Sequence, residues 1–123
     1  NVVLASEAFA LGVQLGLEPH RLYEILSVSG GASAQFVKRA PYVLDNDYTA
    51  RFAVGLAEKD LRLALAVGHH AKLPLPIAAQ VHQIYEMGVA TGIGQEDAVA
   101  VFKLYEQWGH AGRPSTAGDG DVR

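Results

Sequence analysis

Phe52-Ala53-Val54-Gly55-Leu56-Ala57-Glu58-Lys59-Asp60-Leu61 is the stretch on which the fold turns. With Leu63, Ala64, Leu65 and Val67 after it, the spacing predicts one long helix over 52–70. That helix is apolar on most sides, as expected of a central helix with little exposed face. Lys59-Asp60 interrupts it. A Lys-Asp pair on a helix is ordinarily a solvated face. In this setting it either marks an edge or faces a polar cleft, because a buried ammonium needs a partner charge or a bound anion. Phe52 lies seven residues before Lys59, two helical turns, so the spacing puts both on one side. An aromatic and a cation would then line one pocket. Phe52 alone reads as core.

Upstream, Val3, Leu4, Ala8, Leu11 and Leu15 give helical periodicity over 2–15, with Gly16 as its stop. Pro19 suits a first helical position, and Leu22, Ile25 and Leu26 mark a second helix ending near Ser29-Gly30-Gly31. A third is expected from Ala32 to Arg39, halted before Pro41 because the residue preceding a proline disfavours helical angles. Asp45 to Thr49 reads as a turn in which Asp47 or Thr49 caps the long helix. Glu58 and Arg62 pair across one turn of that helix. Downstream, Leu73-Pro74-Leu75-Pro76 is a connector, Ile77 to Ala90 a further helix, and Gly92-Ile93-Gly94 a break. Gln95 to Trp108 is expected as the last helix, with Glu96 and Asp97 near its positive end. No strand-like alternation of useful length appears, so the fold class is all-α. Residues 1–111 form one helical domain, and 112–123 read as a flexible polar tail.

The chain has 123 residues, half of them hydrophobic, a net charge of −3 and no cysteine. The length fits one domain with its own core. Interspersed charges exclude a nucleic-acid surface of clustered Lys and Arg. Apolar runs fall short of the roughly 18–20 residues a membrane helix needs. A cysteine-free chain excludes disulfides and thiolate chemistry and is compatible with the cytoplasm. The apolar start lacks a basic segment and contains Glu7, against a signal peptide. Position 1 is Asn within what reads as a helix, which suggests an excised domain.

Ser27-Val28-Ser29-Gly30-Gly31-Ala32-Ser33 reads as an interhelical turn or, alternatively, as a cradle of backbone amides for an anion. Gly92-Ile93-Gly94 follows a helix and lacks a third glycine, so it is no dinucleotide motif. His69, His70 and His82 do not suggest a metal site. Neighbouring histidines diverge by about 100° on a helix, and no carboxylate completes a set at recognised spacing. His20 and His110 read as solvated.

Taken in order, several stretches resemble one family, the 3-hydroxyisobutyrate (β-hydroxyacid) dehydrogenases, in their C-terminal helical domain. They are Leu4 to Leu11 with Gly16-Leu17, then Leu22 to Leu26 with Ser29 to Ser33. Arg39, Pro41 and Leu44 to Tyr48 follow, then Phe52 to Leu61, Leu73 to Pro76, and Gly92 to Asp97. The resemblance spans roughly 1–108 and implies a multi-helix bundle like the C-terminal domain of 6-phosphogluconate dehydrogenase. It also implies reversible oxidation of a small 3-hydroxy acid with NAD or NADP, the cofactor held mainly by an upstream Rossmann domain. The family's catalytic lysine and its asparagine would lie about six to ten residues before Asn1, so no catalytic residue is expected in this chain. Lys59 matches the family's lysine beside the cofactor and Phe52 the aromatic near the nicotinamide end of the cleft. Asp60 supports Lys59, and Ser33 is a substrate-side candidate. Pairing through this domain implies a homo-oligomer. Where the family has the Trp of a Gly-x-Ser-Trp segment, this chain has Ala34, a departure that reshapes the pocket and leaves the substrate open. Imine reductases share the architecture. The competing reading is a stand-alone helical interaction module without catalysis.

Overall fold

The computed structural model describes residues 1–111, without the side chains of His110 and Ala111. The tail expected to be flexible lies outside the described residues, as does the side chain of His110. Six α-helices follow one another with no strand among the described residues: α1 (Val2–Gln14), α2 (Pro19–Ser27), α3 (Ala34–Leu44), α4 (Val54–His70), α5 (Pro76–Ala90) and α6 (Phe102–Ala111). A 3₁₀ turn, Ala98–Val101, runs directly into α6. The all-α expectation therefore holds.

Local chemistry accounts for most of the boundaries. The Glu18 carboxylate accepts the amides of His20 and Arg21 at the start of α2, with Pro19 in the first turn. The Ser33 hydroxyl accepts the amide of Phe36 at the start of α3. Gly16 and Gly92 end α1 and α5 at a φ of 91°, where a side chain would be strained.

Three boundary expectations are corrected. Helix α3 does not halt before Pro41 but continues to Leu44. Proline removes the N–H that would bond to the Val37 carbonyl, and the Tyr23 hydroxyl donates to that carbonyl instead, at 3.2 Å. The freed acceptor thus has a partner from α2. Helix α4 starts at Val54, and neither Asp47 nor Thr49 caps it. The Asp47 carboxylate instead accepts from the Thr49 amide and from Arg51. The last helix is split, because the Asp97 side chain bonds the Val99 amide and sets a tight 3₁₀ turn before α6.

Two apolar clusters make the core. Val3, Val54, Ala57, Tyr85, Ala98, Ala100 and Val101 join α1, α4, α5 and the 3₁₀ turn. Phe9, Leu22, Phe36, Ala40 and Phe102 join α1, α2, α3 and α6, with the Phe9 and Phe102 rings edge-on at 5.7 Å. Helix α4 is not the enclosed central helix that its composition suggests. Only Val54, Ala57 and Gly68 are buried, while Leu63 and Val67 are 52% and 68% exposed. It packs chiefly on α5 and on the 3₁₀ turn, and its other apolar face has no cover among the described residues.

Asp97 sits between the clusters with 0% exposure. Its Oδ1 accepts from the Arg39 guanidinium at 2.6 Å and the Val99 amide at 3.1 Å. Its Oδ2 accepts from the amides of Arg51 and Phe52 at 2.9 and 3.2 Å. Burial alone would raise its pKa. The Arg51, Val99 and Phe52 amides and the Arg39 guanidinium outweigh it, so the carboxyl lies below its ordinary value of 3.8. The stability this contributes is present above that ordinary value and is lost as pH falls through the lower folded value. Asp97→Asn strands Arg39 and is expected to cost about 3–5 kcal/mol in urea unfolding. The acid-induced loss of stability below pH 3.8 should also be smaller in that variant than in the parent.

Candidate functional site

The site region is the first half of α4 and the segment that enters it. Residues 51–55 are stitched to residues 94–98. The Val54 amide donates to the Glu96 carbonyl at 2.8 Å, and the Gly55 amide to the Gly94 carbonyl at 2.9 Å. Ala98 donates to the Phe52 carbonyl at 2.7 Å. Backbone carbonyls therefore do the capping expected of Asp47 or Thr49. The approach is close: a Cβ on Gly55 would lie 3.2 Å from the Gly94 carbonyl oxygen. This seam, anchored by Asp97, fixes where α4 begins and hence where Lys59 emerges.

Lys59 projects from the second turn of α4. Its ammonium lies 3.1 Å from Asp60 Oδ1, and the two side chains are 48% and 56% exposed. The pair stands on the surface and not in a buried cleft. Phe52 is not on the helix. It precedes the N-cap Ala53, and its ring packs against the Val54–Ala57–Tyr85 cluster. Two helical turns therefore do not align Phe52 with Lys59, since Phe52 lies in the bend before the helix, where its amide donates to Asp97. No hydrogen bond or ion pair joins Phe52 or Ser33 to Lys59 among the described residues.

Ser33 spends its hydroxyl on the α3 N-cap. It also borders a surface cleft of about 270 Å³ with Asn1, Leu4, Leu26, Gly31 and Phe36. The Ser27–Ser33 segment is the ordinary turn. Ser29 Oγ donates to the Leu26 carbonyl and accepts from the Gly31 amide, and Ala32 donates to the Ser29 carbonyl. Those amides are engaged within the turn.

One grouping escaped the sequence reading. His82 is buried, and its Nε2 lies 3.0 Å from Glu58 Oε1 while Nδ1 lies 3.8 Å from Glu86 Oε2. Glu58 also pairs with Arg62 at 3.2 Å, as its spacing predicted. The His82 hydrogen bond, together with Arg62, holds the Glu58 carboxyl below its ordinary value against partial burial. The helical spacing of His82 and Glu86 was readable. The arrival of Glu58 from 24 residues away was not. His20, His69 and His70 are exposed.

The described residues define the class: an all-α bundle with an exposed lysine on a helix whose start is fixed. The comparisons with known proteins make that class specific. The family described as NAD-binding of NADP-dependent 3-hydroxyisobutyrate dehydrogenase matches residues 1–105, and the chain belongs to it. An NAD(P) cofactor is accordingly the family's. The chain is 40% identical over 105 residues to an L-threonate dehydrogenase of Cupriavidus necator, covering 85% of this chain and 35% of that protein. It is 42% identical over 108 residues to a 2-(hydroxymethyl)glutarate dehydrogenase of Eubacterium barkeri, covering 87% and 36%. A solved structure of 3-hydroxyisobutyrate dehydrogenase from Salmonella typhimurium superposes with a TM-score of 0.81 at 33% identity, covering 84% of this chain and 36% of that one. The chain thus spans about a third of the length of these relatives. Among the described residues no helix is long and apolar enough to cross a membrane.

Lys59→Ala should leave folding stability within about 1 kcal/mol of the parent in urea unfolding, because an exposed ion pair contributes little. A larger loss would mean that Lys59 is retained for structure.

Proposed function

We propose that this chain is the cofactor-side and subunit-contact domain of an NAD(P)-dependent dehydrogenase acting on a small 3-hydroxy acid. What carries the reading is the family match over residues 1–105 together with an exposed Lys59 on a helix whose start is fixed. In the relatives this length is about a third of an enzyme, so a nucleotide-binding domain is proposed to complete it. Lys59 is proposed to meet the cofactor as a compact cation suited to a phosphate or carboxylate, with Asp60 holding the ammonium within reach. A bound cofactor supplies the hydride chemistry; this chain's own residues bind, orient and exclude water. Phe52 is proposed to act from below, as the packed support on which α4 starts, near the nicotinamide end of the cleft. Ser33, at the rim of its cleft, is the proposed substrate-side group.

Leu4 and Leu11 on α1 and Leu15 at its end are 68%, 61% and 75% exposed, which favours cover by a partner domain or by a second subunit, as in a homo-oligomer. An isolated helical domain of this kind is expected to be inactive, because catalysis needs the reacting groups and the cofactor held in one geometry.

In a complete dehydrogenase carrying this domain, Lys59→Ala should raise the cofactor KM or lower kcat by at least about tenfold, a loss of some 1.4 kcal/mol of transition-state binding. Steady-state kinetics with NAD and NADP check it. Unchanged constants for both cofactors would remove Lys59 from the cofactor site.

A further inference from the structure

The geometry points to a divalent transition-metal site formed by Glu58 of α4 with His82 and Glu86 of α5, separate from the proposed cofactor role of Lys59. One ligand atom from each residue lies within 4.8 Å of the other two. The His82 side chain is nine-tenths buried, at 10% exposure, with Glu58 at 18% and Glu86 at 46%. Nε2 lies 3.0 Å from Glu58 and Nδ1 3.8 Å from Glu86.

A neutral imidazole has one N–H. The Nε2 edge is at hydrogen-bond distance from Glu58. At 3.8 Å the Nδ1 edge is not, and it makes no hydrogen bond. A cation that replaces the proton shared between Nε2 and Glu58 takes the nitrogen lone pair and the carboxylate oxygen from the same side, and Glu86 lies within 4.8 Å to close on it. One imidazole nitrogen and two carboxylate oxygens are a donor set for zinc, cobalt or manganese, and two negative charges balance a divalent ion. Metal–ligand distances of about 2.0–2.2 Å bring donor atoms to roughly 3.5 Å apart, so the group must contract by about 1 Å. Glu86, the most exposed of the three and one turn from His82, has the freedom to do so. The competing donors are Arg62 on Glu58 at 3.2 Å and Gln83 on Glu86 at 2.6 Å. Arg62 is itself 58% exposed and can swing away. The bound ion would pin α4 to α5 beside Lys59.

The test is calorimetric titration of the 123-residue chain with Zn²⁺, with Co²⁺ visible absorption as a second readout. The expected result is one equivalent bound, with His82→Ala and Glu86→Gln each weakening it by at least about tenfold. Glu86 is half exposed, so its substitution tests the site even if His82→Ala fails to fold. His69→Ala/His70→Ala should bind as the parent does. The absence of binding, or binding that survives Glu86→Gln and is lost in the His69/His70 variant, overturns the site. These results are independent of the Lys59 kinetics.

Discussion

The buried carboxylate of Asp97 is the joint on which the domain depends. It reaches three separate parts of the chain: the guanidinium of Arg39 on α3, the amides of Arg51 and Phe52 before α4, and the amide of Val99 in the 3₁₀ turn. A carboxylate without solvent access is costly unless its acceptor positions are filled. Here four donors fill them, so the group specifies one arrangement of these segments. The joint lies beside both clusters of the core, since Val101 and Phe102, two and three residues beyond Val99, belong to different ones.

The same joint governs the site. With Phe52 held by Asp97, and with Val54 and Gly55 held by the 94–96 carbonyls, α4 starts at a fixed point without any side-chain cap. Lys59 is therefore presented from a rigid base while its own contacts remain on the surface. That division suits a group meant to meet something outside the domain: the scaffold is buried and preorganised, and the ammonium is accessible. The exposed leucines of α1 and apolar positions of α4 would be covered in the larger enzyme proposed above.

What the sequence made legible was local. The helices, the Gly16 and Gly92 stops, the Pro19 start and the Glu58–Arg62 pair all follow from neighbours within a turn or two. The misreadings share a cause, which is contact across long separation. Pro41 stays within a helix because Tyr23, from the preceding helix, takes the orphaned carbonyl. The start of α4 is capped by a loop about 40 residues downstream. Asp97 reads as an ordinary helix-start acid until Arg39 is seen beside it, 58 residues earlier. Composition suggested that α4 is central, yet a run of apolar residues does not reveal whether its cover lies within the same domain. Of the candidate site, the Lys59–Asp60 contact was readable from adjacency, and the family from the order of its motifs. The placement of Phe52 was not, because helical spacing was assumed two residues beyond the true helix start.

The central claim is that Lys59 faces the cofactor. Differential lysine acylation read by mass spectrometry, on a complete dehydrogenase carrying this domain, tests it most directly. Saturating NADP or NAD should protect Lys59 from the reagent while Lys38 and Lys72 react as before. Equal labelling of Lys59 with and without either cofactor would contradict the account.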